Sequence, residues 1–263
     1  MTPASLPVIE LQHVEKSYSS SVLPWNHQRF KVLRDINFRL FSGEIVGLIG
    51  LSGEGKSTLA RLLLGLESPD NGSLRFNGQD LRHWKKRHPG KISAVFQDYT
   101  DSVNPTWNVG RIIEEPLAIL GRKEEGRVAA LLLSLGLDPK FTQRYPHELS
   151  GGQLQRVCIA RALISSPVFT VFDEAVSSLD VSIQTEILTL LKQLHKPEDT
   201  WFFISHNLTA VTFLCSRLLF LHNGTIVTDI PTNRLSDLDN DYANQLIDAI
   251  LPFKTNLSNV PHE

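Results

Sequence analysis

Gly50-Leu51-Ser52-Gly53-Glu54-Gly55-Lys56-Ser57-Thr58 follows an apolar run, Ile45-Val46-Gly47-Leu48-Ile49, and leads into a helix-like stretch at residues 57–64. The pattern G-x-x-x-x-G-K-[ST] between a strand and a helix is that of a phosphate-binding loop. A strand that is apolar throughout is buried on both faces, as in a parallel sheet covered by helices. Glycines let the loop backbone come close to phosphates, its N–H groups point inward, and the following helix adds its positive end. On this reading Gly50, Ser52, Gly53, Gly55, Lys56, Ser57 and Thr58 hold a nucleotide. Lys56 pairs with the β- and γ-phosphates and Ser57 ligates Mg2+. A chance glycine-rich turn is the competing reading, and the strand–loop–helix context weakens it. Glu54 puts a negative charge into the loop, at a variable position of the pattern, and is expected to face solvent.

Outward from the loop, residues 8–13 and 32–40 alternate apolar and polar positions and read as half-buried strands of an antiparallel sheet, joined by a loop at 19–28. Further strands are expected at 73–76, 91–96, 168–172, 201–204, 217–221 and 225–228. Between about 107 and 163 the period becomes helical: Ile112, Ile113, Leu117 and Leu120 share one face, and Val128, Leu131, Leu132 and Leu135 another. Gly136 and Pro139 end the second helix, and Ser150 is placed to cap a third that runs to about Ile164. Strands alternating with helices around an all-helical insertion imply an α/β core with an α-helical subdomain. Past Pro231, Tyr242, Leu246, Ile247 and Ile250 form one face of a helix, expected to pack on its own domain; a docking face for a partner is the alternative.

Val171-Phe172-Asp173-Glu174 is an apolar strand that ends in two carboxylates. Neighbouring strand residues point to opposite faces, so the two acids are free to do different work. Beside a phosphate loop, Asp173 would hold Mg2+ and Glu174 would orient or deprotonate the attacking water. Without that loop a solvated strand end would be the default.

The 263 residues carry a net charge of −2, which provides no basic field for nucleic acid. Apolar residues make up 41%, enough for a buried core. Cys158 and Cys215 lie far apart, fit neither a disulfide framework nor a metal spacing, and are expected to be buried core residues in a reducing compartment. The N-terminus, Met1-Thr2-Pro3-Ala4-Ser5, lacks a basic region followed by an apolar run, so no signal peptide is expected. No apolar stretch approaches the ~20 residues that span a bilayer, so a soluble chain is expected, with any membrane role exercised through a partner.

Leu149-Ser150-Gly151-Gly152-Gln153 resembles the signature of ATP-binding-cassette (ABC) ATPases, and it stands between the phosphate loop and the Asp-Glu strand, in that family's order. Gln97 in Ala94-Val95-Phe96-Gln97-Asp98 matches the family's Q-loop, His206 in Ile204-Ser205-His206-Asn207 its switch histidine, Ser178-Leu179-Asp180 its D-loop, and Tyr18 its adenine-stacking aromatic. The resemblance covers about residues 8–229. It implies an α/β ABC nucleotide-binding domain: a RecA-like parallel-sheet core, an antiparallel β subdomain and an inserted α-helical subdomain. The domain would span 8–230, with the helical part at about 99–165 and a tail at 231–263. It implies ATP and Mg2+ as cofactors, with Asp173 and Gln97 joining Ser57 at the metal. Gln97 contacts the attacking water and relays the state of a membrane partner, Glu174 is the general base, and His206 holds the γ-phosphate. Asp180 couples two sites across a dimer, and Ser150, Gly151, Gly152 and Gln153 meet the γ-phosphate bound to the other subunit. A helix N-terminus with free N–H groups and a serine hydroxyl suits that anion. Asn207 stands where the family often has aspartate, which opens the question of local hydrogen bonding.

Asp101-Ser102-Val103-Asn104-Pro105, the long extension of the signature to Leu163, and the run from Asp173 to Gln184 are similar to ATPase subunits of the dipeptide, oligopeptide and nickel importer family. Gly65-Leu66-Glu67-Ser68-Pro69 and Ala249-Ile250-Leu251-Pro252 resemble its nickel-type members. The tail lacks the cysteine cluster of many oligopeptide-type relatives, which shifts weight towards the nickel or metallophore branch. Implied partners are a second ABC ATPase subunit, identical or related, two permease subunits and an extracytoplasmic substrate-binding protein. Membrane contact would be through the permeases alone, at the cytoplasmic face, and no nucleic acid is involved. Residues 99–107 would meet a permease; from composition a plain surface loop is as good a reading. A non-transport ABC ATPase, a nucleotide-binding module without turnover, and an exporter are the other classes. The single cassette without a coiled-coil run argues against the first. The joint presence of Gln97, Glu174 and His206 argues against the second.

Overall fold

The computed structural model describes residues 6–19 and 29–250, and of 248–250 the backbone alone. Residues 20–28 of the expected loop, Leu251 and Pro252, and the side chain of Ile250 lie outside the described residues. The strands are β1 (Ile9–Ser19), β2 (Arg29–Leu40), β3 (Ile45–Ile49), β4 (Asn71–Phe76), β5 (Gln79–Asp80), β6 (Ile92–Val95), β7 (Phe169–Asp173), β8 (Thr200–Ile204), β9 (Arg217–His222) and β10 (Thr225–Pro231). The helices are α1 (Lys56–Leu63), α2 (Leu81–Arg87), α3 (Val109–Ile119), α4 (Arg127–Ser134), α5 (Gly151–Leu163), α6 (Val181–Leu194), α7 (Leu208–Leu214) and α8 (Asp241–Ile250).

Two sheets form. The first, ordered β2-β1-β4-β5, is antiparallel, as the alternation of its early strands requires. The second has six strands ordered β10-β9-β3-β8-β7-β6, parallel from β9 to β6, with β10 returning antiparallel beside β9. From β3 the chain runs out to the edge strand β6 and works inward through β7 and β8. It then crosses β3 to reach β9 on its other side. The order therefore reverses beside β3, and ligands of open α/β sheets bind beyond the carboxyl ends of the strands at such a switch point. The phosphate loop, Gln97, Asp173 with Glu174, and His206 all follow the carboxyl ends of adjacent parallel strands.

Each central strand feeds both sides of this sheet. Ile49, Phe172, Trp201, Phe203, Leu218 and Phe220 join one buried cluster with α3, α5, α6 and α7. Val46, Leu48, Val171, Phe202, Ile204, Leu219 and Leu221 join another with the antiparallel sheet, α1 and α2. Burial of apolar side chains on both faces is what fixes the layered architecture. Gly47 lets α7 approach: a Cβ there would meet the Val211 side chain at 2.2 Å and Leu218 at 2.8 Å. Both cysteines are buried and free, and burial pushes both thiols upward, so they serve as small core residues.

The helical stretch after Trp107 forms α3, α4 and α5, with Ile112, Ile113, Leu117, Val128, Leu132 and Leu135 buried as expected. Ser150 caps α5 through a reciprocal box: Gln153 N–H donates to its hydroxyl at 3.3 Å, and Ser150 N–H donates to Gln153 Oε1 at 3.0 Å. Ala243 and Leu246 of α8 are buried in the helical-side cluster and Tyr242 and Ile247 pack against it, so this face is covered by the chain's own core. Among the described residues no helix is long and apolar enough to cross a membrane.

Candidate functional site

The phosphate loop is shaped by packing on both flanks. A Cβ at Gly50 would stand 2.7 Å from the Leu221 carbonyl, so the loop leaves β3 pressed against β9. Gly55 takes the left-handed φ of 103° and sits as N-cap of α1 without a side-chain cap. The first N–H groups of α1 are therefore left for another acceptor, as anion sites at helix starts require. Lys56 is largely buried, and its Nζ donates to the Gly50 and Leu51 carbonyls at 2.8 and 2.9 Å. Burial pushes its pKa down, while Glu174, Asp173 and Glu54 push it up. Ser52, Gly53 and Ser57 are exposed at the loop surface, and Thr58 is buried behind them.

Glu54 does not face solvent, contrary to the sequence expectation. Its side chain is only 13% exposed, and its carboxylate accepts from the Asn223 N–H and lies 3.2 Å from Nδ1 of His222. The pattern sets no requirement on the side chain at this position; here a tertiary contact with the β9–β10 turn claims it.

Asp173 and Glu174 diverge as the strand alternation predicts. Burial, with help from the Glu174 charge, raises the Asp173 carboxyl from 3.8 to about 6, against the pull of Lys56 and Arg61. Glu174 takes a positive φ of 50°, an uncommon conformation for a residue with a side chain. Its N–H donates to the Ile204 carbonyl at 2.9 Å, and its Oε2 lies 3.2 Å from Nδ1 of His206. The strand ends of β7 and β8 thus bring the two residues together. His206 keeps its side chain 61% exposed, reaching outward, while Glu174 is 18% exposed.

Asn207 resolves its own question. Its Oδ1 accepts from Ala210 N–H at 3.2 Å and caps α7, and its Nδ2 donates to Gln184 Oε1 at 3.1 Å. Gln184 in turn donates to the Leu179 carbonyl at 2.8 Å, so one buried amide joins the 178–180 stretch to the histidine loop. Sequence reasoning missed Gln184; its place one turn into α6, after Asp180, was the available signal. Asp180 is exposed at the start of α6 and makes no side-chain cap there.

The signature glycines are sites of close packing. A Cβ at Gly151 would stand 2.7 Å from the Tyr99 hydroxyl and 3.7 Å from Leu179, and one at Gly152 would stand 2.7 Å from Ile183. This stretch therefore abuts the segment after Gln97 and the start of α6. Gln97 itself is exposed just past β6. Tyr18, expected to stack on adenine, donates its hydroxyl to Glu67 at 2.6 Å and carries the Lys16 ammonium 5.4 Å from its ring centre.

The donors that Ser57, Gln97 and Asp173 offer are all oxygens, the set a hard divalent cation such as Mg2+ takes together with phosphates. A buried carboxyl raised to about 6 despite Lys56 and Arg61 also fits a further cation partner.

Comparison with known families finds a match to the family described as "ABC transporter" over residues 33–177. The chain belongs to the ABC transporter family. It is 41% identical over 251 residues to the metal-staphylopine import system ATP-binding protein CntF of Staphylococcus aureus (strain NCTC 8325 / PS 47), covering 94% of this chain and 100% of that protein. It is 41% identical over 255 residues to the nickel import ATP-binding protein NikE of Rhodospirillum rubrum, covering 94% and 92%. The oligopeptide transport ATP-binding protein OppF of Haemophilus influenzae matches at 37% over 261 residues, covering 92% and 78%. Among solved structures, the dimeric post-hydrolysis state of the ATP-binding cassette MJ0796 bound to ADP and Pi superposes with a TM-score of 0.73 at 28% identity, covering 85% of this chain and 98% of that one. The fold of this ABC ATPase is thus that of the ATP-binding cassettes, with a parallel-sheet core, an antiparallel β subdomain and packed helices.

Proposed function

We propose that this ABC ATPase powers an importer for nickel, a metal chelate or a peptide, with metal or metallophore import favoured over peptide import. The observation that carries the ATPase chemistry is the Glu174–His206 pair at the carboxyl ends of adjacent strands, beside a loop whose lysine feels both strand-end carboxylates. Support for the cargo class comes from relatives named for metal-staphylopine, nickel and oligopeptide transport.

In this reading residues 50–58 bind the ATP phosphates through backbone N–H groups, with Lys56 supplying positive charge. Tyr18 meets the adenine. Ser57, Gln97 and Asp173 would hold Mg2+, which would supply neutralisation of phosphate charge when bound. Glu174 accepts a proton from water as the water oxygen bonds to the γ-phosphorus, and the bond to the bridging oxygen breaks to give ADP and phosphate. His206 orients the γ-phosphate and Gln97 the water. The signature residues Ser150 to Gln153 complete the site of a second cassette, and Asp180 lies at that junction; MJ0796, a structural relative, is dimeric. The cassette occupies 8–230 with its helical part at 99–165, and the tail follows at 231–263. Two permeases and a binding protein complete the importer, with residues 99–107 against a permease at the cytoplasmic face.

The test is uptake of radiolabelled nickel, with and without a chelating metallophore, beside a labelled dipeptide, in cells carrying native chain or Glu174→Gln. Selective loss of metal uptake supports the favoured cargo, and selective loss of peptide uptake transfers the protein to the peptide branch. No change in either leaves the ATPase assignment standing and removes this reading of the cargo. Binding of a fluorescent ATP analogue to native chain and to Lys56→Ala tests the loop separately: equal affinities would overturn it.

A further inference from the structure

Glu54 is a carboxylate inside a loop read as binding polyphosphate, where a free negative charge would repel the ligand. It is instead held away by the β9–β10 hairpin. Asn223 and Gly224 both take positive φ, 49° and 75°, the two-residue turn that matches strand twist. The turn is wedged against β2: Arg34 N–H donates to the Gly224 carbonyl at 2.7 Å, and a Cβ at Gly224 would stand 2.2 Å from the Val32 carbonyl. From this fixed turn the Asn223 N–H donates to Glu54. The Asn223 side-chain amide lies 2.9 Å from Nε2 of His222 and Nδ1 of His222 lies 3.2 Å from Glu54, so in the neutral ring Nε2 accepts and Nδ1–H donates.

The other face of that imidazole is occupied by the C-terminal helix. The Tyr242 ring of α8 stacks on His222 with centroids 3.7 Å apart and planes 24° from parallel. The Tyr242 hydroxyl donates to the Leu221 carbonyl at 3.4 Å, the carbonyl against which Gly50 packs. Burial raises the Tyr242 pKa, and the Leu51 backbone and the Glu54 charge act on the same hydroxyl. Residues 50, 51 and 54 of the loop thus share one support, built from the hairpin turn and α8.

We propose that Glu54 is a positioning residue for the phosphate loop, and that Tyr242 extends this brace to α8, making the helix part of what sets ATP affinity. This rests on the reading of residues 50–58 as the ATP loop. The carboxylate fixes the crest of the loop to the hairpin, and Tyr242 keeps His222 oriented toward it. Loss of either frees loop backbone whose N–H groups must converge on phosphates, and ordering it again upon binding costs affinity.

Equilibrium binding of a fluorescent ATP analogue to the full chain tests this, with affinity and binding stoichiometry measured separately and melting temperature as a check on folding. Glu54→Ala is expected to weaken binding about fivefold at unchanged stoichiometry. Glu54→Gln keeps an acceptor for the Asn223 N–H and removes the repulsive charge, but its NH2 faces Nδ1–H of His222, so its binding is expected to lie between native and Glu54→Ala. Tyr242→Ala weakens binding like Glu54→Ala, while Tyr242→Phe keeps the stacked ring and stays within about twofold of native. The double alanine variant is no more than about twofold weaker than either single one, since both remove the same brace. Native affinity in Glu54→Ala or Tyr242→Ala, or additive losses in the double variant, would overturn the proposal. If native chain itself fails to bind ATP, the reading of the loop fails instead.

Discussion

Nδ1 of His206 lies 3.2 Å from Oε2 of Glu174, and the Glu174 N–H donates to the Ile204 carbonyl two residues before that histidine. The ends of β7 and β8 are therefore stitched by backbone and side chain together. The positive φ of Glu174 turns its carboxylate toward this neighbour. A carboxylate with one oxygen engaged by an imidazole has a fixed orientation and its other oxygen free, which suits the role of base proposed for Glu174.

Glu174→Gln preserves the shape of this pair and an acceptor for His206, but it cannot take a proton. Hydrolysis is expected to fall at least about 100-fold, while ATP affinity stays near native and the ATP-bound cassettes remain associated. Phosphate release and size-exclusion with ATP measure the two effects. Near-native turnover would remove Glu174 from the role of base.

Asp173→Asn is expected to stabilise the fold and impair the reaction. Burial and Glu174 raise the Asp173 carboxyl from 3.8 to about 6. Between those values the folded chain holds a proton that the unfolded chain has released, so stability falls as pH climbs through this window and stays lowered above it. The difference corresponds to about 3 kcal/mol. In metal- and nucleotide-free buffer the asparagine variant should melt higher than native near neutral pH, and differ little at about pH 4. Equal melting at neutral pH would mean that the carboxylate carries no such penalty.

The parts read correctly from the residues were those whose chemistry is local. Glycine spacing and an apolar run define the loop and β3, alternation defines β2, and Ser150 with Gln153 spells a capping box within four residues. The α2 helix is not legible in the sequence, because only Leu81 and Trp84 in it are buried, too few to show a period. Glu54 was misplaced because its partners, His222 and Asn223, come from the far end of the chain. Gln184 was passed over for the same reason: its link between Leu179 and Asn207 exists only once α6 and α7 are packed.

Asn207→Asp, a change toward the residue common in the family, is expected to destabilise this chain. Aspartate keeps the cap on α7 and adds favourable charge at the helix start. It cannot donate to Gln184 Oε1, and would set a carboxylate oxygen against an amide oxygen. Turning the Gln184 amide over only moves the conflict to the Leu179 carbonyl, which now receives Nε2 at 2.8 Å. The expected cost is about 1 kcal/mol, read as a lowered denaturation midpoint at unchanged slope. A midpoint at or above native would show that the Asn207–Gln184 bond contributes nothing.

Gly151→Ala tests the contact between the signature and the segment after Gln97. An added Cβ would stand 2.7 Å from the Tyr99 hydroxyl oxygen, with Tyr99 Cζ next at 3.6 Å. The Tyr99 backbone carbonyl is held by Ser102 at 3.0 Å and by the Cys158 thiol at 3.7 Å, so relief of the clash has to come from movement of the phenol ring or of the start of α5. Gly151→Ala alone should therefore lower stability by about 1–3 kcal/mol through overpacking, read as a lower melting temperature, and reduce ATP turnover by shifting the start of α5. Tyr99→Phe removes the clashing oxygen and leaves the carbon at ordinary contact distance. In that background Gly151→Ala should cost much less, and turnover should recover together with stability, because alanine retains the N–H that the glycine offered. A double variant as unstable as Gly151→Ala alone would place the strain elsewhere, against Leu179 at 3.7 Å or in the helix start itself.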